Sequence, residues 1–302
     1  MSVIAVVLLV ISGCVHAGWN LVSKRQNPSA AFFLIANAVG TACILPVLVS
    51  NWQGLALIPQ SVWIRALVSG FSYAVFCAAM AGAYRTGDMS LAYPLALSSP
   101  VIFVTIVTVV FGKGEPMSGW GLTGIAIVAL GCFILPMRRF HEFRLSNYLN
   151  ACCLLALLSA VGTTVLTIAD YEALHILREI PDRPFGPVDG PLTYVIFVSA
   201  FGSFGLGALV LMTRWERESF IHILRFSKRP AALMGIGIYL AYGLVLVSMQ
   251  YVTNVSYVAA FRQLSIPLGA TLGVVLLKEP RYLPKIVGVV AVYVGLVVVG
   301  AA

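Results

Sequence analysis

Charge is what this sequence has least of. Only 10% of its 302 residues are Asp, Glu, Lys or Arg, against 60% hydrophobic, and its mean hydropathy is +0.96. A water-soluble domain could not cover that much apolar surface with so few polar groups, which excludes the soluble globular class. Strand-type alternation is missing as well, which excludes a β-barrel. No nucleotide-binding motif is present, so an ATP-driven pump is not expected. His16, His141, His175 and His222 are scattered, and no nucleophile-base pair accompanies them, which leaves little for a membrane enzyme to work with. The six cysteines lie inside apolar stretches without metal-like or disulfide-like spacing, so neither a metal nor another cofactor is expected.

What remains is apolar sequence in ten separable stretches, near residues 3–23, 30–50, 63–86, 89–111, 118–137, 148–170, 191–213, 231–252, 255–277 and 283–301. Each meets the roughly 20 residues a spanning helix needs. The expectation is an all-α integral membrane protein with ten transmembrane helices. The second five stretches echo the first. Glu115-Pro116 is followed by Gly124 and Gly131, and Glu279-Pro280 by Gly288 and Gly295 at the same spacings. An odd number of spans per half sends the second half into the bilayer from the opposite face, and inverted repeats of this kind build secondary transporters. The expected organisation is a first five-helix repeat over 1–137, a cytoplasmic linker over 138–147 and a second repeat over 148–302.

The net charge of +8 does not mark a nucleic-acid binder. With ten spans, the cations at 24–25, 85, 138–144, 214–229 and 278–285 all fall on one face, and only Arg65, Lys113, Arg178 and Arg183 on the other. That asymmetry puts the basic face in the cytoplasm and both termini outside. Ile11-Ser12-Gly13-Cys14 looks like a lipoprotein cleavage box, but the first cation, Lys24, lies beyond the apolar run, so the segment reads as a first span. Glu172–Gly190 is proline-rich and reads as an outside loop, a lid or a plain connector. Arg214–Arg229 reads as an amphipathic surface helix anchored in lipid.

An ionisable group in hydrocarbon is a functional suspect. Arg262 lies eight residues into the ninth stretch, about 12 Å deep at ~1.5 Å per residue. Gln263, Ser265 and the helix-disrupting Pro267 make its surroundings polar and distorted. Its charge calls for a carboxylate, a set of carbonyls, water or an anionic ligand, and a fixed salt bridge to a protein acid such as Asp170 is the plain alternative to ligand contact. The aligned position in the first half, Ala96, has no charge, so the site is asymmetric although the scaffold is not. In the first stretch Ser12, His16, Trp19, Asn20 and Ser23 form one polar stripe, with His16 suited to proton coupling or to a plain interhelical hydrogen bond. Tyr73 and Tyr84, then Tyr239 and Tyr242, form aromatic stripes that suit either a cavity wall or helix packing. Gly269 and Gly273 read as a close-contact face. Asp88 and Asn254 read as N-caps, and Glu115 and Glu279 as first-turn charges with gating as a further role.

The two Glu-Pro-x7-Gly-x6-Gly endings, the Tyr93-Pro94 to Pro100 segment and the His16-Ala17-x-Trp19-Asn20 opening with Lys24 resemble the EamA-like branch of the drug/metabolite transporter superfamily over nearly the whole chain. The resemblance implies two inverted five-helix repeats around a central cavity lined by spans 1, 3, 4, 6, 8 and 9, working by alternating access. It departs from that family in two respects. Such permeases are drawn with both termini in the cytoplasm, the reverse of the cation count, and the small multidrug relatives use a carboxylate where this chain has His16. The expected function is a secondary transporter of a small polar metabolite, anionic or zwitterionic, in a bacterial inner membrane. Its substrate site would draw on Arg262, His16, Trp19, Asn20, Tyr73, Tyr84, Tyr93, Tyr239, Tyr242 and Gln263. Coupling or gating would draw on His16, Asp170, Glu115 and Glu279, with a proton or counter-solute as the driving partner. The alternatives are a multidrug or cation exporter of the same fold and a non-transporting receptor or scaffold subunit.

Overall fold

The computed structural model describes residues 2–23, 29–86, 89–112, 114–135, 137, 139, 150–181, 184–276 and 282–302, with the side chains at 19–23, 89–94, 97, 273 and 276 outside that set. Among the described residues the protein is helical throughout. In chain order the helices are α1 (Val3–Ser23), α2 (Ala30–Ser50), α3 (Gln60–Thr86), α4 (Met89–Val110), α5 (Gly119–Ile134), α6 (Ala151–Arg178), α7 (Asp189–Met212), α8 (Arg214–Phe226), α9 (Lys228–Ser248), α10 (Val255–Arg262), α11 (Ser265–Leu276) and α12 (Leu283–Ala301). Six of these segments are long and apolar enough to cross a membrane, the α9 segment counted through Tyr251, and three shorter apolar helices accompany them. Large apolar side chains such as Trp120, Leu154, Phe204, Leu211, Met212 and Val297 stand fully outward, a surface that suits lipid and not water.

Polar side chains set many helix starts. Ser29, Ser118, Asn150 and Asn254 each accept a backbone N–H of the first turn of α2, α5, α6 and α10. Asn254 is therefore the cap the sequence suggests, while Asp88 lies outside the described residues. The first-turn reading of Glu115 needs correction. The chain stays extended past Pro116, Ser118 takes the cap, and Glu115 sits exposed in the preceding loop. Its backbone N–H donates to the Thr253 carbonyl at 3.2 Å, and its carbonyl accepts from Asn254 at 2.9 Å. Glu279 lies outside the described residues. Helix α12 opens at Leu283, with Pro284 in its first turn.

Two further differences carry physical reasons. Helix α6 runs two turns past its apolar stretch to Arg178, because Ala173, Leu174 and Leu177 continue a buried face while His175 and Arg178 face out. The ninth stretch is not one helix but two, α10 and α11, interrupted at Gln263 and Leu264. The predicted surface helix is present as α8 and ends at Phe226. Its Glu216 points inward, is 2% exposed, accepts the Ala31 N–H at the start of α2 at 3.0 Å, and lies 3.9 Å from Arg85.

The packing runs mostly between the halves of the chain. Helix α3 lies along α6 and α7, α1 along α9 and α11, α2 along α7 and α9, α4 along α6, and α5 along α12. The α5 to α12 contact explains the repeated glycines. Gly124 meets Gly295 and Gly131 meets Gly288, so closely that a Cβ at Gly288 would lie 2.7 Å from the Leu135 Cα and one at Gly124 2.9 Å from the Gly295 carbonyl oxygen. Gly269 is different. Nothing lies within 4 Å of where its Cβ would be, so the close-contact reading of that face fails at Gly269. Gly288→Leu is expected to destabilise the protein by roughly 1–3 kcal/mol through overpacking, and Gly269→Ala to leave it unchanged. Thermal unfolding in detergent measures both.

Candidate functional site

The polar centre is built on one face of α6. Thr167 and Asp170 lie three residues apart, so both side chains project the same way into the bundle. Asp170 is completely buried. Its Oδ1 accepts the hydroxyls of Ser69 on α3 at 2.6 Å and Tyr194 on α7 at 3.0 Å, and its Oδ2 accepts Tyr242 on α9 at 2.5 Å. Three donors from three helices satisfy the carboxylate, which is what a buried charge in an apolar bundle requires. Thr167 Oγ1 accepts from a guanidinium nitrogen of Arg262 at 3.1 Å. Arg262 closes α10, is half-buried, and lies within Coulomb range of Asp170, Tyr242 and His16. No ion pair within 4.0 Å joins it to a carboxylate among the described residues. The protein acid suggested from the sequence, Asp170, is therefore near but not in ion-pair contact.

The helix break beside Arg262 follows from Pro267. Proline has no N–H to return to the Gln263 carbonyl, so Ile266 supplies it at 2.9 Å, and Gln263 and Leu264 also bond three residues back, to Ala260 and Phe261 at 3.0 Å. The tightening frees the carbonyls of Ala259 and Arg262. Side chains take both: Gln263 Nε2 donates to Ala259 at 3.2 Å and Ser265 Oγ to Arg262 at 3.1 Å. Gln263 is thus occupied in sealing its own helix. Helix α1 leans on this break, with a Cβ at Gly13 placed 3.2 Å from Leu264 Cδ2, and Ser12 donates across to the Ala241 carbonyl at 2.8 Å. His16, one turn further along α1, is half-buried beside the same centre.

Tyr239 belongs to a second polar group, between α2, α7 and α9. Its hydroxyl donates to the Asn37 side-chain oxygen and shares a hydrogen bond with the Ser199 hydroxyl at 2.5 Å, while Asn37 Nδ2 reaches the Ser199 carbonyl at 3.1 Å and Ser203 at 2.7 Å and Thr41 hydrogen-bonds Ser199. Gly40 leaves the space that the Tyr239 ring fills. Tyr73, close to Cys77 and Tyr239, adjoins this group and not Arg262. Tyr84 lies elsewhere again, packed with Met80, Ala83 and Cys152. The structure therefore brings Arg262, His16, Asp170 and Tyr242 together and leaves Tyr73, Tyr84, Tyr239 and Glu115 apart. The side chains of Trp19, Asn20 and Tyr93, and all of Glu279, lie outside the described residues. Ser69, Thr167 and Tyr194 were missed by sequence reasoning. The i,i+3 spacing of Thr167 and Asp170 was the available signal for the first of the α6 contacts.

Asp170→Ala strips the acceptor from three hydroxyls, two of them on nearly inaccessible residues, Ser69 at 0% and Tyr194 at 2% exposure. The expected loss is about 2–4 kcal/mol, and clearly less for Asp170→Asn, which keeps an acceptor oxygen. Denaturant unfolding in mixed micelles distinguishes the two variants.

Comparison with known proteins yields no matching family model and no matching curated sequence. Solved structures do match, 28 chains among them. One, with the printed title "Crystal structure of protein", superposes with a TM-score of 0.68 over 98% of this chain and 97% of its own, at 15% identical residues. The chain shares its fold with that protein over essentially the full length of both.

Proposed function

We propose that this protein is a secondary transporter of a small anionic or zwitterionic metabolite, built as inverted five-helix repeats over 1–137 and 148–302. The observation that carries the reading is Arg262 itself. A half-buried guanidinium stands at the break of a discontinuous helix, held by the Thr167 hydroxyl and touching no carboxylate among the described residues. Discontinuous helices of this kind supply substrate and ion sites in carriers built from inverted repeats. In a medium of low dielectric the guanidinium attracts a ligand carboxylate or phosphate strongly and repels a cation. Asp170, saturated by three hydroxyls and sealed from solvent, offers a lipophilic cation no open carboxylate, which favours the metabolite reading over a multidrug exporter.

The packing supports the repeat. If α1 to α5 are exchanged with α6, α7, α9, α10/α11 and α12, the pair α3·α6 becomes α9·α1, α3·α7 becomes α9·α2, and α4·α6 becomes α10/α11·α1, all of which occur. The pairs α2·α7 and α5·α12 map onto themselves. The glycines of the two Glu-Pro endings face each other across the second of these. The EamA-like resemblance, a cytoplasmic basic face with both termini outside, and a bacterial inner membrane complete the proposal. A proton is the natural coupling partner, with His16 and Asp170 beside the cation.

Counterflow of radiolabelled small amino and carboxylic acids in proteoliposomes tests the reading. Arg262→Ala is expected to lower the rate about 10- to 100-fold, the loss of a hydrogen bond to a charged group. Undiminished counterflow in that variant removes the proposed role.

A further inference from the structure

We propose that Asp170 is the proton-binding half of a coupled site whose anion-binding half is Arg262, with the Tyr242 hydroxyl as the path by which the proton reaches it. This rests on the carrier reading above and names the coupling chemistry of the same site. The geometry separates Asp170's three partners by access. Ser69 is 0% exposed and Tyr194 2%, so neither can pass a proton outward, whereas Tyr242 is half-buried, its bond to Asp170 is only partly buried, and Arg262 lies within Coulomb range of it. At 2.5 Å from Oδ2, Tyr242 is also the donor at hydrogen-bond distance to the second carboxylate oxygen.

The step balances in atoms and charge. The Tyr242 O–H bond breaks as its proton moves to Asp170 Oδ2. A hydronium at the half-buried face gives a proton to Tyr242 Oη and leaves as water. The product is a neutral acid that donates back to Tyr242, with both hydroxyls on Oδ1 still in place.

Coupling comes from electrostatics. The groups that face Asp170 are Ser69 on α3, with Arg65 further along that helix, Tyr194 on α7, Tyr242 on α9 and Arg262 on α10, and His16 on α1 lies in range of Arg262. Arg65 is engaged with Glu172 at 3.1 Å, which leaves Arg262 as the cation acting on Asp170. An anion bound to Arg262 cancels that influence, and the carboxylate then takes a proton more readily. By reciprocity the protonated site binds the anion more tightly, so anion and proton travel together. A purely structural Asp170 would hold its three hydroxyls in the same way but would not respond to the charge at 262.

Infrared pH titration of the full-length protein in lipid vesicles tests this without any ligand. The band of a protonated carboxyl that disappears in Asp170→Asn is expected to fade reversibly as the pH is raised. Arg262→Gln, which removes the charge as an anion would neutralise it, is expected to raise its midpoint by at least about one pH unit, while Arg262→Lys leaves it nearly in place. Tyr242→Phe is expected to slow the deuterium exchange of that carboxyl at least about 100-fold, an arm that needs no change at Arg262. The proposal is overturned by a midpoint that ignores Arg262→Gln, by exchange unaffected in Tyr242→Phe, or by no carboxyl band assignable to Asp170. Those failures with Arg262-dependent counterflow intact would remove the coupling and leave the carrier. Loss of that dependence with the band shift intact would do the reverse.

Discussion

A charge placed among apolar helices must be answered where it stands, because the surroundings cannot solvate it. The centre of this protein is organised by that requirement. One face of α6 answers both charges, holding Arg262 through Thr167 and gathering three hydroxyls onto Asp170. Those bonds reach α3, α7, α9 and α10, so the helix that carries the acid also fixes the relative positions of four others. The same rule operates at the edge of the bundle. Buried Glu216 is answered by the N-terminus of α2, where free N–H groups and the helix dipole favour a carboxylate, and this ties the amphipathic α8 to the bundle.

The main helix pairings map onto one another under the proposed repeat, but the site does not. Helix α4 is continuous from Met89 to Val110 although it contains Pro94 and Pro100, whereas its counterpart breaks into α10 and α11. Ala96, where the aligned half has Arg262, is fully buried. The break depends on Gln263, Ser265 and Pro267 acting together. The proline removes one donor, and the two polar side chains take up the carbonyls that the tightened turn releases. On the proposed repeat, a paired scaffold with one elaborated half gives a single charged locus instead of two.

Much of this was legible in the sequence because the governing terms are one-dimensional. Hydrophobic length placed most of the long helices to within a few residues, though α6 runs two turns further to Arg178, glycine spacing singled out the residues that meet between α5 and α12, and a lone cation in an apolar run pointed to Arg262. What stayed hidden depends on which faces meet. Tyr73, Tyr84 and Tyr239 share an aromatic stripe pattern with Tyr242, yet α2 and α7 claim Tyr239 for Asn37 and Ser199, and nothing in spacing reveals that choice. Ser69 and Tyr194 were invisible for the same reason: a single hydroxyl in an apolar helix becomes significant only when a neighbouring helix brings an acceptor. The inward turn of Glu216 depends on where α2 begins, and the proline disruption read at 267 became a split helix only through the hydroxyl and amide that stabilise it.

The central claim is that the Arg262 locus opens to water and not to lipid. Its most direct measurement places a single cysteine there, Arg262→Cys in a protein whose six native cysteines have been replaced, and exposes it in sealed vesicles to a charged, membrane-impermeant thiol reagent. The account predicts modification by that reagent. Labelling only by a lipid-soluble maleimide, or none by either, would contradict it.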